Sequence, residues 1–169
     1  MIDLIIKINY IAGKFSERQI NRIKQKEKKL NLLQKLSDFY SKQYAGILHS
    51  HFIEAELIKL SNEIKIHQNI SFEDNHILHV ATMVGADGGH TRIILNWIKN
   101  QPNKQHSLLI NNPCSVPDWL NQAVIASGGS IVTNDSIGYL KKALFLKEQS
   151  LKYENIVLHV HTNDMLPLL

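Results

Sequence analysis

HILHVATMVGADGGHTRIILNWIK, residues 76–99, is the stretch that decides the fold. It opens on a short apolar run rich in strand formers, passes through a glycine-rich turn at 85–89, and continues from Thr91 to Lys99 as a helix. The same alternation repeats downstream. A second short strand at 107–110 is stopped by Asn111, Asn112 and Pro113. The helix at 117–127 has Asp118 near its start and Gly128 and Gly129 just past its end, where helices favour glycine. A third strand, a third helix at 136–150 and a fourth strand follow. Strands alternating with helices predict β-α-β crossovers and therefore a parallel sheet, with strands near 77–84, 107–111, 130–133 and 155–160 and helices on both faces.

The residues before this series read differently. Residues 16–44 predict one helix, with Ser16 as N-cap, Gln19 completing a capping box, and an apolar face of Ile20, Ile23, Leu30, Leu33, Leu36, Phe39 and Tyr40. Gly46 interrupts, and 50–65 reads as a second, more weakly amphipathic helix. A polar stretch at 68–75 divides a Lys-rich helical segment, 1–75, from the α/β part, 76–169.

Charge follows the same division. Residues 1–70 hold 12 Lys/Arg against 7 Asp/Glu, whereas residues 71–169 hold 7 against 8, so the net charge of +4 belongs to the front of the chain. A solvated helix face is the plain reading of such a run; a field attracting anionic lipid is the functional one, and nucleic acid is not expected as a partner. The segment 1–12 carries Asp3 and Lys7, and has neither the layout of a signal peptide nor the length of a membrane span. With one cysteine, Cys114, the 169-residue chain can form no intrachain disulfide, and a cytoplasmic location is expected, with the inner membrane face as a peripheral site.

In a parallel sheet, ligands gather beyond the carboxyl ends of the strands, and the 85–91 turn occupies that place. Glycine there permits close backbone approach, and the following helix start favours anionic groups. The turn alone would also want glycine. It is G-x-x-G-G rather than the dinucleotide G-x-G-x-x-G, and Asn111 and Asn112 stand where a ribose-binding acid would be. No phosphate-loop motif is present, so nicotinamide and P-loop enzymes are disfavoured.

His79-Val80-Ala81-Thr82 followed by Gly88-Gly89-His90-Thr91-Arg92 resembles the opening strand and loop of sugar-nucleotide glycosyltransferases. His159-Val160-His161, followed by Leu166-Pro167, is similar to the His-x-His strand end of the retaining, glycogen-synthase-like group, although Thr162 and Asn163 replace the aspartate and tryptophan usual there. The resemblance spans 76–169 and implies a Rossmann-like, acceptor-side half of a GT-B fold. It implies that Gly88, Gly89, His90 and Thr91 contact substrate and that His161 lies in the catalytic cleft as a polar contact near the transferred sugar. It implies transfer from a nucleotide-sugar donor to a sugar-containing or lipid-linked acceptor, with no metal and no further cofactor. The donor-binding half is not found in these residues, so the chain alone is expected to transfer no sugar and, with an uncovered sheet edge, to self-associate. Two alternatives stand beside it: a non-catalytic α/β interaction module, and another sugar-nucleotide-binding Rossmann-like enzyme.

Nine histidines are present. His76 and His79, three apart on a strand, point to opposite faces and cannot easily share a metal ion. His159, further inside its strand than His161, reads as a hydrogen-bonded core residue. Cys114 lacks a visible base and orienting group, so it reads as a structural or surface thiol.

Overall fold

The computed structural model describes residues 2–43, 50–64, 66, 73–159 and 164–166. Ten elements follow in order: α1 (Ile2–Asn21), α2 (Lys26–Lys42), α3 (His51–Glu63), β1 (Glu73–Ala81), α4 (Gly89–Asn100), β2 (Gln105–Ile110), α5 (Asp118–Ala126), β3 (Ile131–Thr133), α6 (Tyr139–Ser150) and β4 (Tyr153–His159). The chain forms two compact units. The first comprises Met1–Lys65, Gly138–Leu140 and Thr162–Leu169; the second comprises Ile66–Ile137 and Lys141–His161.

The first unit corrects the single helix expected over 16–44. Helix α1 begins at Ile2, and the chain breaks at 22–25 before α2. Neither proline nor glycine causes the break. The N–H groups of Arg22 and Ile23 turn back to the carbonyls of Gln19 (3.2 Å) and Ile20 (3.0 Å), tightening the last turn. Folding back is what satisfies the apolar residues: Ile20, Leu30, Leu33, Leu36 and Tyr40 join Ile53, Leu57, Leu60 and Met165 in one core. The Tyr40 hydroxyl donates to Glu17 Oε1 at 2.8 Å. On one straight helix those residues would stand about 35 Å apart at 1.5 Å per residue. Gly13 allows the crossing, since a Cβ there would overlap the Tyr40 ring. Ser16 caps nothing; it lies within α1, and its hydroxyl donates to the Ala12 carbonyl at 3.0 Å.

Helix α3 starts where the sequence places it, with the Ser50 hydroxyl accepting from the Ile53 N–H at 3.3 Å. Its Glu56 is 2% exposed and takes Lys29 and Lys59, each at 2.6 Å. Burial pushes that carboxyl up, but the two ammonium groups outweigh it and hold it below the usual range. The carboxylate of Glu27 accepts from the N–H groups of Tyr139 (2.7 Å) and Leu140 (2.8 Å). Met165 and Leu166 are buried, Met165 among the amino-terminal helices. Residues 167–169 lie outside the described residues. Leu4, Ile8, Ile11 and Phe15 of α1 stay exposed; among the described residues no helix is long and apolar enough to cross a membrane.

The second unit holds the four-stranded sheet, in the order β3-β2-β1-β4 with every pair parallel. Central strands of such sheets are covered on both faces, which is why β1 and β2 read as near-continuous apolar runs. Ile77, Leu78, Val80, Ala81, Leu108, Leu109 and Ile110 are each 2% exposed or less. One core joins Ala81, Leu108 and Ile110 to Ile94 and Ile98 of α4 and to Leu120 and Val124 of α5. The strands lie within four residues of their expected bounds, the largest difference being at β1, which begins at Glu73 rather than 77. The α/β fold is as expected, and the order 3-2-1-4 is that of the first four strands of a Rossmann sheet.

Candidate functional site

The sheet order fixes where a ligand crevice can form. Strand β1 is followed by β2 on one side and has β4 on the other, so the topology reverses between β1 and β4. In open α/β sheets that reversal, at the carboxyl ends of the strands, is where the crevice opens. Ala81 pairs with His159 at this end, and the Thr82 N–H donates to the His159 carbonyl at 3.3 Å.

The loop beyond β1 is shaped by its own hydrogen bonds. The Gly88 N–H donates to the Gly85 carbonyl (3.1 Å), closing a turn, and the Gly85 N–H donates to Thr91 Oγ1 (3.0 Å). Arg92 N–H to Gly88 carbonyl, at 3.2 Å, is the first full turn of α4. A concave pocket of about 430 Å³ is lined by Met83, Val84, Gly85 and residues 88–91. All four residues expected to contact substrate therefore share one wall, but their environments differ. Thr91 is 1% exposed and its hydroxyl braces the loop. Gly88 is required by close packing, because a Cβ there would meet Thr91 Oγ1 at 2.9 Å. No atom of the described residues lies within 4 Å of where a Cβ on Gly89 would stand. Packing among the described residues gives no reason for glycine at 89, whereas an approaching ligand would. His161, the expected cleft residue, lies outside the described residues.

Behind the loop the structure holds a feature the sequence did not reveal. His79, at the centre of β1 and 0% exposed, bonds to two other histidines. Its Nδ1 lies 3.0 Å from His159 Nε2, and its Nε2 lies 3.0 Å from His106 Nδ1. The His106 Nε2 reaches the Gln101 carbonyl at 3.1 Å, at the carboxyl-terminal cap of α4. The rings of His79 and His106 stack at 5.2 Å, and Trp97 of α4 meets His79 edge-on. Burial first, then the neighbouring rings of His159 and His106, brings His79 down to about 3. Burial, then His90, brings His159 to about 4; burial also lowers His106, partly countered by its bond to Gln101. The three rings are therefore neutral at pH 7.

His76 has separate partners, its Nε2 lying 2.9 Å from Ser107 Oγ. Among the described residues no group of three or more His, Cys, Asp or Glu could hold a metal ion. Asn111 is fully buried and accepts from Asn134 Nδ2 at 3.1 Å, so it props the loop after β2. Cys114 accepts from the Val84 N–H at 3.3 Å and packs against the core.

No family model, curated protein or solved structure matches the chain.

Proposed function

We propose that the second unit is the acceptor-side half of a GT-B-type glycosyltransferase, taking a sugar-bearing ligand against the 85–91 loop. The observation that supports it is the coincidence of a glycine loop, lining an open pocket, with the topological reversal of a parallel sheet. Gly89 offers bare backbone to that pocket, and His90 contributes the polar side chain. The resemblance of residues 79–82, 88–92 and 159–161 to nucleotide-sugar enzymes supplies the substrate class. Under this reading the diphosphate of the donor is held by a separate half, and the retaining outcome rests on the His-x-His strand end alone.

Amide chemical-shift mapping tests the reading. The ¹⁵N-labelled chain is titrated with methyl glucosides and, separately, with UDP-glucose. The expected result is saturable movement of the Gly85, Gly88, Gly89 and His90 amides with at least one glucoside. No movement there, or movement confined to the first unit, would contradict it.

A further inference from the structure

The histidine chain has a fixed direction, and this follows from its last partner. A backbone carbonyl can only accept a hydrogen bond, so His106 must carry its proton on Nε2 to bond Gln101. In the neutral ring Nδ1 is then a bare lone pair and accepts from His79 Nε2–H. The lone pair on His79 Nδ1 in turn accepts from His159 Nε2–H. Each ring dictates the next, and the sequence of donors ends at Nδ1 of His159.

The two ends of the chain lie in different places. Gln101 caps the carboxyl end of α4, and its carbonyl also takes the Lys104 N–H at 3.1 Å. His159 closes β4 at the crevice, keeps 7% exposure, and lies near enough to His90 to be influenced by its charge. His90 itself lines the pocket. Among the described residues, the titratable groups acting on these rings from outside the trio are His90 on His159, and His76 and Lys104 on His106. None is an acid that would hold an imidazolium.

We propose that His106, His79 and His159 form a tautomer-locked relay, anchored on the Gln101 carbonyl, that presents His159 Nδ1 as the acceptor for a ligand hydroxyl at the β1–β4 crevice. The inference rests on the crevice reading above and names the chemistry it selects: a hydroxyl donor such as a sugar is accepted, and a carbonyl or carboxylate acceptor is refused at this point. His159 is the contact; His79 and His106 are positioning residues that set its polarity from two strands away. Proton uptake at His159 Nδ1 balances along the same path. His159 passes its Nε2 proton to His79 Nδ1, and His79 passes its own Nε2 proton to His106 Nδ1. That path would leave the charge on His106, where burial, His76 and Lys104 oppose it, so the neutral relay with His159 Nδ1 as acceptor is the favoured state.

Imidazole ¹⁵N spectra of the His-labelled chain at pH 7.5 decide the matter. All three rings are expected as Nε2–H tautomers. In His106→Leu the buried His79 N–H loses its acceptor, so His79 and His159 are expected to reverse to Nδ1–H. In His106→Asn the amide oxygen takes the place of Nδ1, and both are expected to remain Nε2–H. Methyl glucoside binding should fall about tenfold in His106→Leu, the worth of one hydrogen bond, and recover in His106→Asn. A wild-type chain with His79 or His159 as the Nδ1–H tautomer would overturn the relay, and this spectrum needs no variant to fold. Three Nε2–H rings in a chain that binds no glucoside would uphold the relay's direction, refute the sugar as its ligand, and contradict the proposed function.

Discussion

Lowering the pH from 7 to 5 is expected to strip much of the stability of the second unit. His79 and His159 are held neutral in the fold, down to about 3 and about 4, whereas in the unfolded chain they titrate near 6.5. Below 6.5 the unfolded state binds protons that the folded state refuses. The contribution is therefore complete above pH 6.5 and is lost as pH falls toward the folded values. Each such histidine costs about 1.4 kcal/mol per pH unit in that window, so the pair removes on the order of 3–4 kcal/mol by pH 5. Against a total of about 5–15 kcal/mol that is a large loss. Glu56, whose carboxyl is held below the usual range, acts only under pH 4.5 and in the first unit. Urea unfolding followed by amide signals of β1 and β2 at pH 7.0 and 5.0 measures the effect. Equal midpoints at the two pH values would show that the chain is not held neutral.

Gly129→Ala, in the turn that leads into β3, is expected to be among the most damaging single substitutions of the second unit. A Cβ at this position would overlap the backbone carbonyl of His106 and stand 2.9 Å from the Ser107 nitrogen. Backbone of a central strand cannot yield as a flexible side chain would, so the cost should reach about 3 kcal/mol or more. Gly128, its neighbour, is glycine for a different reason. Its φ is +85°, beyond the end of α5, and a Cβ there would meet only Gln105 side-chain atoms at 3.5 Å or more. Gly128→Asn, a residue that tolerates this conformation, should cost less than about 1 kcal/mol. Thermal unfolding of the two variants side by side is the check; equal losses would contradict the packing described for β2.

These glycines show where sequence reading succeeds and where it stops. The pair was legible as a helix end, because chain direction and local conformation are local properties. That one of them clears a carbonyl on another strand is not local, and nothing in the sequence separates them. The β-α alternation was legible for the same reason: apolar runs and turn residues announce each element as it comes. The break at 22–25 was hidden because helix propensity continues through it, and only the burial of Ile20 and Tyr40 against other residues favours folding back. His79 and His159 could be placed on strands, but their partnership depends on parallel register, with His79 opposite Val157 and Leu108 and the bonds running diagonally. A histidine on each of three neighbouring strands was the available signal. The 85–91 loop was the most legible part of the candidate site, since its place after one strand and before one helix is written in order along the chain.

The central claim is that this loop is glycine-rich for a ligand's sake and not only for the turn's, and Gly89 separates the two. No described residue comes within 4 Å of its missing Cβ, and it begins α4, where alanine is the better helix former by about 1 kcal/mol. The measurement is a methyl glucoside titration of the wild-type chain and Gly89→Ala, followed at the His90 amide, with thermal unfolding of both. The variant is expected to be as stable as the wild type or more so, and to bind the sugar at least about tenfold more weakly. A Gly89→Ala chain that binds the glucoside as well as the wild type would show that the loop is only a turn.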